Sequence, residues 1–473
     1  MKIVTILMNN TKINLIKEYY MPTQLIHQIR DEICELLQKL VCIDTTNPPG
    51  NETLASQFLK QELNKDDFEC EIIEAKPARG SLITRLEGTG NGPSLLLLSH
   101  LDVVAANPEE WSIQPFKGTI KDGFVYGRGT LDMKGMTAIE VMTLKLLKRN
   151  GIKTKGDVLL AATADEENGG LNGVSWLLKH HREKFMANYV LNEGGGASIP
   201  TSNGNVFTVN TAEKGIMWFK LKAHGKPGHG SMPNTAINAI KPIIYATEKL
   251  CSYTPEIVYV PTVKTFLNKI AEKNPELRGP FEELIKHPQK SMQILDHLTN
   301  KGEPLAEEIR PRIQLTLTPT MLLGGVKTNI IPSKCEVTFD CRILPGQTID
   351  NTVTLIKNLI SEAGLNELEI EFLQTHNGTE SPIHTPLYQT ITEVLNEFEP
   401  NCTVTPTLLC GGTDSKFYRE QGSICYGFHP MHTEPPINGK YIKREHGIDE
   451  RISIDNLVFG TSVLYETVKR FMT

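Results

Sequence analysis

The run Ser94-Leu95-Leu96-Leu97-Leu98-Ser99 constrains this chain more than any other stretch. An apolar run this short, with no polar alternation, predicts a strand buried on both faces, as in a parallel sheet. It stops at His100-Leu101-Asp102, and in open α/β sheets ligands bind outside the carboxyl ends of the strands. An imidazole and a carboxylate two residues apart can divide the work there. His100 offers one ring nitrogen to a metal while Asp102 holds the other N–H and fixes the tautomer. Taken alone, the same pair reads better as a satisfied surface contact, and the later motifs reverse that. Thirty residues on, Gly127-Arg128-Gly129-Thr130-Leu131-Asp132-Met133-Lys134-Gly135 is a glycine-flanked loop presenting one acid, followed by a helix over 136–150.

The later strands repeat the pattern. Residues 158–163 run into Asp165-Glu166-Glu167, and 189–191 into Asn192-Glu193-Gly194. One acidic strand end is a solvated loop. Several converging with a histidine make a site for a hard-to-borderline cation, because unpaired carboxylates packed together repel and resist ionisation. Helices are expected over 24–40, 51–63 and 173–180, and strands over 68–73 and 81–86. Strands alternating with helices imply a mostly parallel sheet covered on both faces.

The texture changes at Ala212. A strand over 214–223 leads to His224-Gly225-Lys226-Pro227-Gly228-His229-Gly230-Ser231 and a helix over 234–250. A proline-punctuated, charged region (251–311) predicts extra helices. Strands over 313–322, 336–343 and 368–373 with a helix over 351–363 follow, so 212–376 reads as a small α+β domain inserted into the sheet domain. Residues 377–473 return to the α/β texture, completing a catalytic domain begun by 1–211. They carry Cys410-Gly411-Gly412-Thr413-Asp414 and Lys443-Arg444-Glu445-His446-Gly447 before a closing helix over 455–471.

At 473 residues the chain exceeds the usual ceiling for one hydrophobic core. A net charge of −6 argues against nucleic acid or an anionic membrane as partner. Nine cysteines without a Cys-x-x-Cys pair indicate neither a disulfide framework nor a thiolate zinc site. There is no Gly-x-Ser-x-Gly elbow for a serine hydrolase. Residues 1–20 have a short apolar start broken by Asn9-Asn10-Thr11-Lys12, without a signal core, and no stretch is long enough for a membrane span. A cytoplasmic protein is expected.

Taken together these motifs resemble the aminoacylase, carboxypeptidase, acetylornithine deacetylase and succinyl-diaminopimelate desuccinylase family of two-zinc hydrolases, over residues from about Gln24 to the end. The insert before Arg312, and the segments Thr328-Asn329-Ile330-Ile331-Pro332 and Arg342-Ile343-Leu344-Pro345-Gly346, look most like the carboxypeptidase S and N-acyl-amino-acid hydrolase branch. The resemblance implies an α/β/α zinc-peptidase-like catalytic domain with an inserted ferredoxin-like lid that also dimerises. It implies that Asp132 bridges two Zn2+ (Co2+ or Mn2+ as substitutes), with His100 and Glu193 completing one metal's ligands and Glu167 and His446 the other's. Glu166 would be the general base toward a metal-bridging hydroxide, and His229 would help stabilise the oxyanion. For the last ligand His432 is the rival, and His446 fits the family pattern better. His376, His384 and His429 read as structural or solvated. Asn329 and Arg342 match substrate-holding positions, though Arg342 reads nearly as well as a surface ion pair. Gly411 and Gly412 either let backbone N–H groups approach substrate or simply form a turn, and His229 has the same bland alternative.

The implied activity is hydrolysis of an amide next to a free carboxylate, as a carboxypeptidase/dipeptidase or an N-acyl-amino-acid deacylase, with an N-acyl amino acid or short peptide as substrate. A biosynthetic deacetylase or desuccinylase shares the chemistry, since the pocket walls that set specificity are not readable from fold. A non-catalytic binding protein on the same scaffold would have lost a ligand or Glu166, and none is missing.

Overall fold

The computed structural model describes residues 23–434 and 444–473; the N-terminal stretch 1–20 read above lies outside them. The chain forms two compact units. The first comprises the residues up to Asn210 with Ser381–Thr405 and Thr413–Thr473, and the second Thr211–Glu380 with Pro406–Gly412.

The core of the first unit is a sheet whose strands run, in spatial order, Cys70–Glu74, Gly80–Leu86, Val158–Thr163, Leu95–His100, Tyr189–Asn192, Ile424–Gly427 and Gly204–Glu213. The four strands from Val158–Thr163 to Ile424–Gly427 are parallel. The leucine run behaves as a doubly covered strand should. Leu95 and Leu97 pack into one hydrophobic cluster and Leu96 and Leu98 into another, and all four are fully buried. Side chains alternate across a strand, so two separate cores on the two faces are the direct outcome. Full burial of each such side chain contributes about 1.5–3 kcal/mol. Helices Thr23–Val41, Lys134–Arg149, Pro386–Phe398 and Ile454–Met472 build the first cluster, and Val174–His180 and Ser415–Glu420 pack into the second. Register places the strand ends together: His100 pairs with Thr163, and Gly427 with Asn192.

The second unit holds a four-stranded antiparallel sheet ordered Thr316–Gly324, Lys334–Ile343, Gly215–His224, Glu369–His376. With helices Ile240–Cys251 and Ile349–Glu362 this is the βαββαβ ferredoxin-like arrangement. Both helices and one face of the sheet share a single core around Phe219, Phe339 and Ile356. The proline-rich region folds into helices Pro261–Lys273, Pro275–Lys286, Ser291–Asn300 and Leu305–Ile309. Pro261 and Pro275 stand in the first turn of their helices, where the missing N–H costs nothing. The boundaries differ from the sequence reading, since the second unit runs Thr211–Glu380 rather than 212–376 and gains a further segment. Pro406–Gly412 groups with the second unit, because Lys214 N donates to Leu409 O (2.9 Å) and Arg312 Nε to Leu408 O (3.0 Å). No described helix is long and apolar enough to cross a membrane.

Candidate metal centre

Every residue expected to hold metal lies in the first unit, three of them at or just beyond the carboxyl ends of its parallel strands and two in loops. His100 ends one strand, Glu166 and Glu167 begin a short 3-10 turn three residues beyond the next, and Glu193 directly follows Tyr189–Asn192. Asp132 sits in the loop before helix Lys134–Arg149, and His446 in the turn before Arg451–Ser453.

Asp132 is the centre of the cluster. Its Oδ1 lies 3.1 Å from His100 Nε2 and its Oδ2 3.0 Å from His446 Nε2. His100 Nε2 is also 3.6 Å from Glu193 Oε1, and His446 Nε2 is 3.3 Å from Glu167 Oε1. His100 Nδ1 meets the Asp102 carbonyl at 3.0 Å, with Asp102 Oδ1 at 3.5 Å, which leaves Nε2 facing the acids. Two overlapping sets each bring one ligand atom per residue within 4.8 Å: His100, Asp132 and Glu167; and His100, Glu166 and Glu193. Glu166, expected as the base, thus lies among the ligand atoms.

Asp102 does more than orient His100. Its Oδ1 accepts from Glu166 N (3.1 Å), and its Oδ2 from Glu167 N (3.0 Å) and Asn47 Nδ2 (2.8 Å). A fully buried carboxylate therefore sets the backbone of both adjacent glutamates. Behind it, Asp165 occupies the left-handed region (φ 74°) and is held from all sides. Arg79 Nη2 (2.8 Å) and Asn47 Nδ2 (3.3 Å) donate to Oδ1, and Asn172 N (2.7 Å) and Nδ2 (2.9 Å) to Oδ2. Glu52 completes the set through two bonds of 2.7 Å from Arg79.

The electrostatics show a site short of positive charge. Burial pushes the Glu193 carboxyl well above the ordinary range, with the Asp132 charge adding to it. Burial does the same to Glu166, where the Asp414 and Glu167 carboxylates add. Burial would also raise Asp132, but the two imidazoles on its oxygens outweigh it and hold that carboxyl low. His446 is raised to about 10 by its bonds to Asp132 and then Glu167. Glu167 Oε1 is buried and receives no well-aligned hydrogen bond among the described residues. Two imidazoles and four convergent carboxylates, one with a buried oxygen lacking a well-aligned donor, fit divalent cations, which replace protons as the neutralising charge. The N/O donor set suits zinc, with cobalt or manganese as alternatives.

The second unit carries the other expected residues. His229 and Asn329 are neighbours, since Gly228–His229 pairs with Ile330–Ile331 and Gly230 N donates to Asn329 O (2.8 Å). His229 Nδ1 accepts from Ser231 N (3.2 Å), which in the neutral ring places the proton on Nε2. Arg342 already grips a carboxylate, Asp340, through bonds of 2.7 and 3.1 Å, and stacks over Trp218. At Gly412 an added Cβ would meet Ile216 Cδ1 at 3.0 Å, whereas Gly411 has only Leu409 nearby.

Several residues escaped the sequence reading. His429, read as structural or solvated, is buried, and its Nε2 has no partner among the described residues; burial pushes its pKa down to about 4. Asn47, Arg79 and Glu450 organise the centre, yet each reads as an ordinary loop or turn residue, and Asp165 stands in its motif without a readable role. The available signal was their type, polar groups immediately beside the motifs, which does not distinguish them from solvated neighbours.

Residues 96–470 match the model of Peptidase family M20/M25/M40. The chain is 28% identical to the Homo sapiens N-fatty-acyl-amino acid synthase/hydrolase PM20D1, over 80% of this chain and 75% of that protein. It is 29% identical to a probable succinyl-diaminopimelate desuccinylase of Staphylococcus aureus, over 82% of this chain and 87% of that one. The crystal structure of an M20 family metallo-carboxypeptidase from Sulfolobus solfataricus shares the fold, with a TM-score of 0.68 at 18% identity, over 93% of this chain and 98% of that chain.

Proposed function

Because the chain belongs to Peptidase family M20/M25/M40, metallohydrolases acting on amide or peptide bonds, we propose that it cleaves an amide next to a free carboxylate at a centre where Asp132 would be a ligand shared by two cations. The observation that carries this reading is the position of Asp132, with one oxygen on His100 and the other on His446. His100 and Glu193 would complete one centre, and Glu167 and His446 the other. When bound, such cations supply Lewis acidity toward the amide carbonyl. Glu166 takes a proton from the attacking water, whose oxygen joins the acyl carbon, and delivers it to the nitrogen as the C–N bond breaks. Asp102 holds the Glu166 backbone in place for that exchange. His229, with its Nε2–H free to donate, is a candidate to stabilise the oxyanion; Asn329, Arg342, Gly411 and Gly412 are candidates to hold the substrate.

The name of the first relative supports an N-acyl amino acid as substrate, within a class that includes short peptides; the name of the second supports a biosynthetic desuccinylase or deacetylase as the second reading. The test is hydrolysis of a panel of N-acyl amino acids, dipeptides and N-succinyl or N-acetyl diamino acids, with metal content measured on the same sample. We expect turnover that chelator abolishes and zinc restores, with about two ions per chain. Turnover that survives complete metal removal would overturn the reading.

Self-association belongs to the second unit on this reading. The strand Thr316–Gly324 lies at the edge of its sheet, and Met321, Leu322 and Leu323 are each more than half exposed. An exposed apolar edge is a ready template for another strand, and pairing with its own copy about a two-fold axis closes the assembly. The occupant proposed for it is a second copy of this chain.

A further inference from the structure

We infer that Glu450 and Arg128 form a positioning clamp that sets cation affinity selectively at the centre built from Asp132, Glu167 and His446. This rests on the two-cation reading above. Glu450 is fully buried, and its carboxylate accepts four bonds. Arg128 Nη1 (2.6 Å) and Gly129 N (3.2 Å) donate to Oε2, and Leu131 N (2.8 Å) and Asp132 N (3.1 Å) to Oε1. Its own carbonyl accepts from Gly127 N at 2.9 Å. One residue therefore fixes the whole loop from Gly127 to Asp132.

Arg128 extends the hold to His446. While Nη1 is engaged by Glu450, Nη2 donates to His446 O (3.2 Å) and Ala105 O (3.4 Å), and the guanidinium stacks over Trp111. His446 needs such a hold. Its side chain is 51% exposed and its backbone sits at φ 60°, a conformation that non-glycine residues seldom adopt. An exposed, left-handed residue drifts unless its peptide is anchored.

The selectivity follows from which ligands depend on the clamp. At one centre His100 and Glu193 stand directly on strand ends, and only Asp132 is reached through Glu450. At the other, both Asp132 and His446 are held by the clamp, and Glu167 alone is independent. Groups that orient ligands in this way typically change metal affinity by about 10–100-fold.

The experiment titrates metal-free full-length protein with Co2+, followed by visible absorbance and calorimetry, with thermal melts of each metal-free variant. Glu450→Gln removes the negative charge and turns an amide toward the N–H donors. We expect about 10–100-fold weaker binding at one of two sites and no more than about threefold at the other. Arg128→Lys keeps a positive charge beside Glu450 but cannot also span to His446 O. It should give the same selective loss, and it stands in if Glu450→Gln does not fold. Equal weakening at both sites, as general loosening would give, or unchanged binding at both, overturns the clamp. Fewer than two sites in the unaltered protein would instead overturn the two-cation reading on which it depends.

Discussion

Glu140 is buried on the helix Lys134–Arg149, neither of its carboxylate oxygens receives a well-formed hydrogen bond among the described residues, and the Ser99 hydroxyl offsets its burial only in part. Burial pushes its carboxyl well above the ordinary value of 4.5, so the folded chain keeps a proton that the unfolded chain releases. The resulting stability is fully present at acid pH. It falls as pH rises above the unfolded value, by at most about 1.4 kcal/mol per pH unit, until Glu140 ionises in the fold. Glu140→Gln is neutral throughout, so its melting temperature relative to the unaltered protein should rise between pH 5 and pH 8. Parallel pH profiles would contradict that assignment. The same scale shows what a sequence can and cannot disclose. His100 and Glu193 were legible because chemistry-bearing residue types terminate apolar runs and sheet geometry brings strand ends together, and Asp132 because a glycine-flanked loop presents it. Glu140 and Glu450 were not, since a lone acid says nothing about whether its charge is solvated, paired or suppressed. Only the surrounding fold decides that.

At the scale of elements, the doubly buried Leu95–His100 strand and the helix after Asp132 were readable from hydrophobic pattern. So was the strand and helix order of the second unit as a small α+β domain, while its ferredoxin-like character came from the family resemblance. The strand Thr316–Gly324 was readable as a strand, but its place at the edge was not, because pairing partners are a property of topology. That place now carries a consequence. If this edge joins two copies, Leu322→Lys puts a charge on an apolar contact, and light scattering should show a dimer for the unaltered protein and a monomer for the variant. A monomer in both cases would rule out self-association through this strand. The sequence also left Pro406–Gly412 with the wrong unit, since the bonds that recruit it come from Lys214 and Arg312, about 100 to 200 residues earlier in the chain.

For the whole molecule, the proposed function rests on one division of labour among acids that composition alone cannot tell apart. Asp132 touches both imidazoles, whereas Glu166 touches neither closely enough to form an ion pair among the described contacts, although its backbone is fixed by Asp102. The most direct test is therefore metal content and turnover measured side by side in Glu166→Ala and Asp132→Ala, on whichever amide substrate the unaltered protein cleaves. The account predicts that Glu166→Ala keeps about two ions and loses at least about 100-fold in turnover, the scale of a missing general base. Asp132→Ala should lose both ions and activity. Equal metal loss in the two variants, or normal turnover in Glu166→Ala, would contradict it.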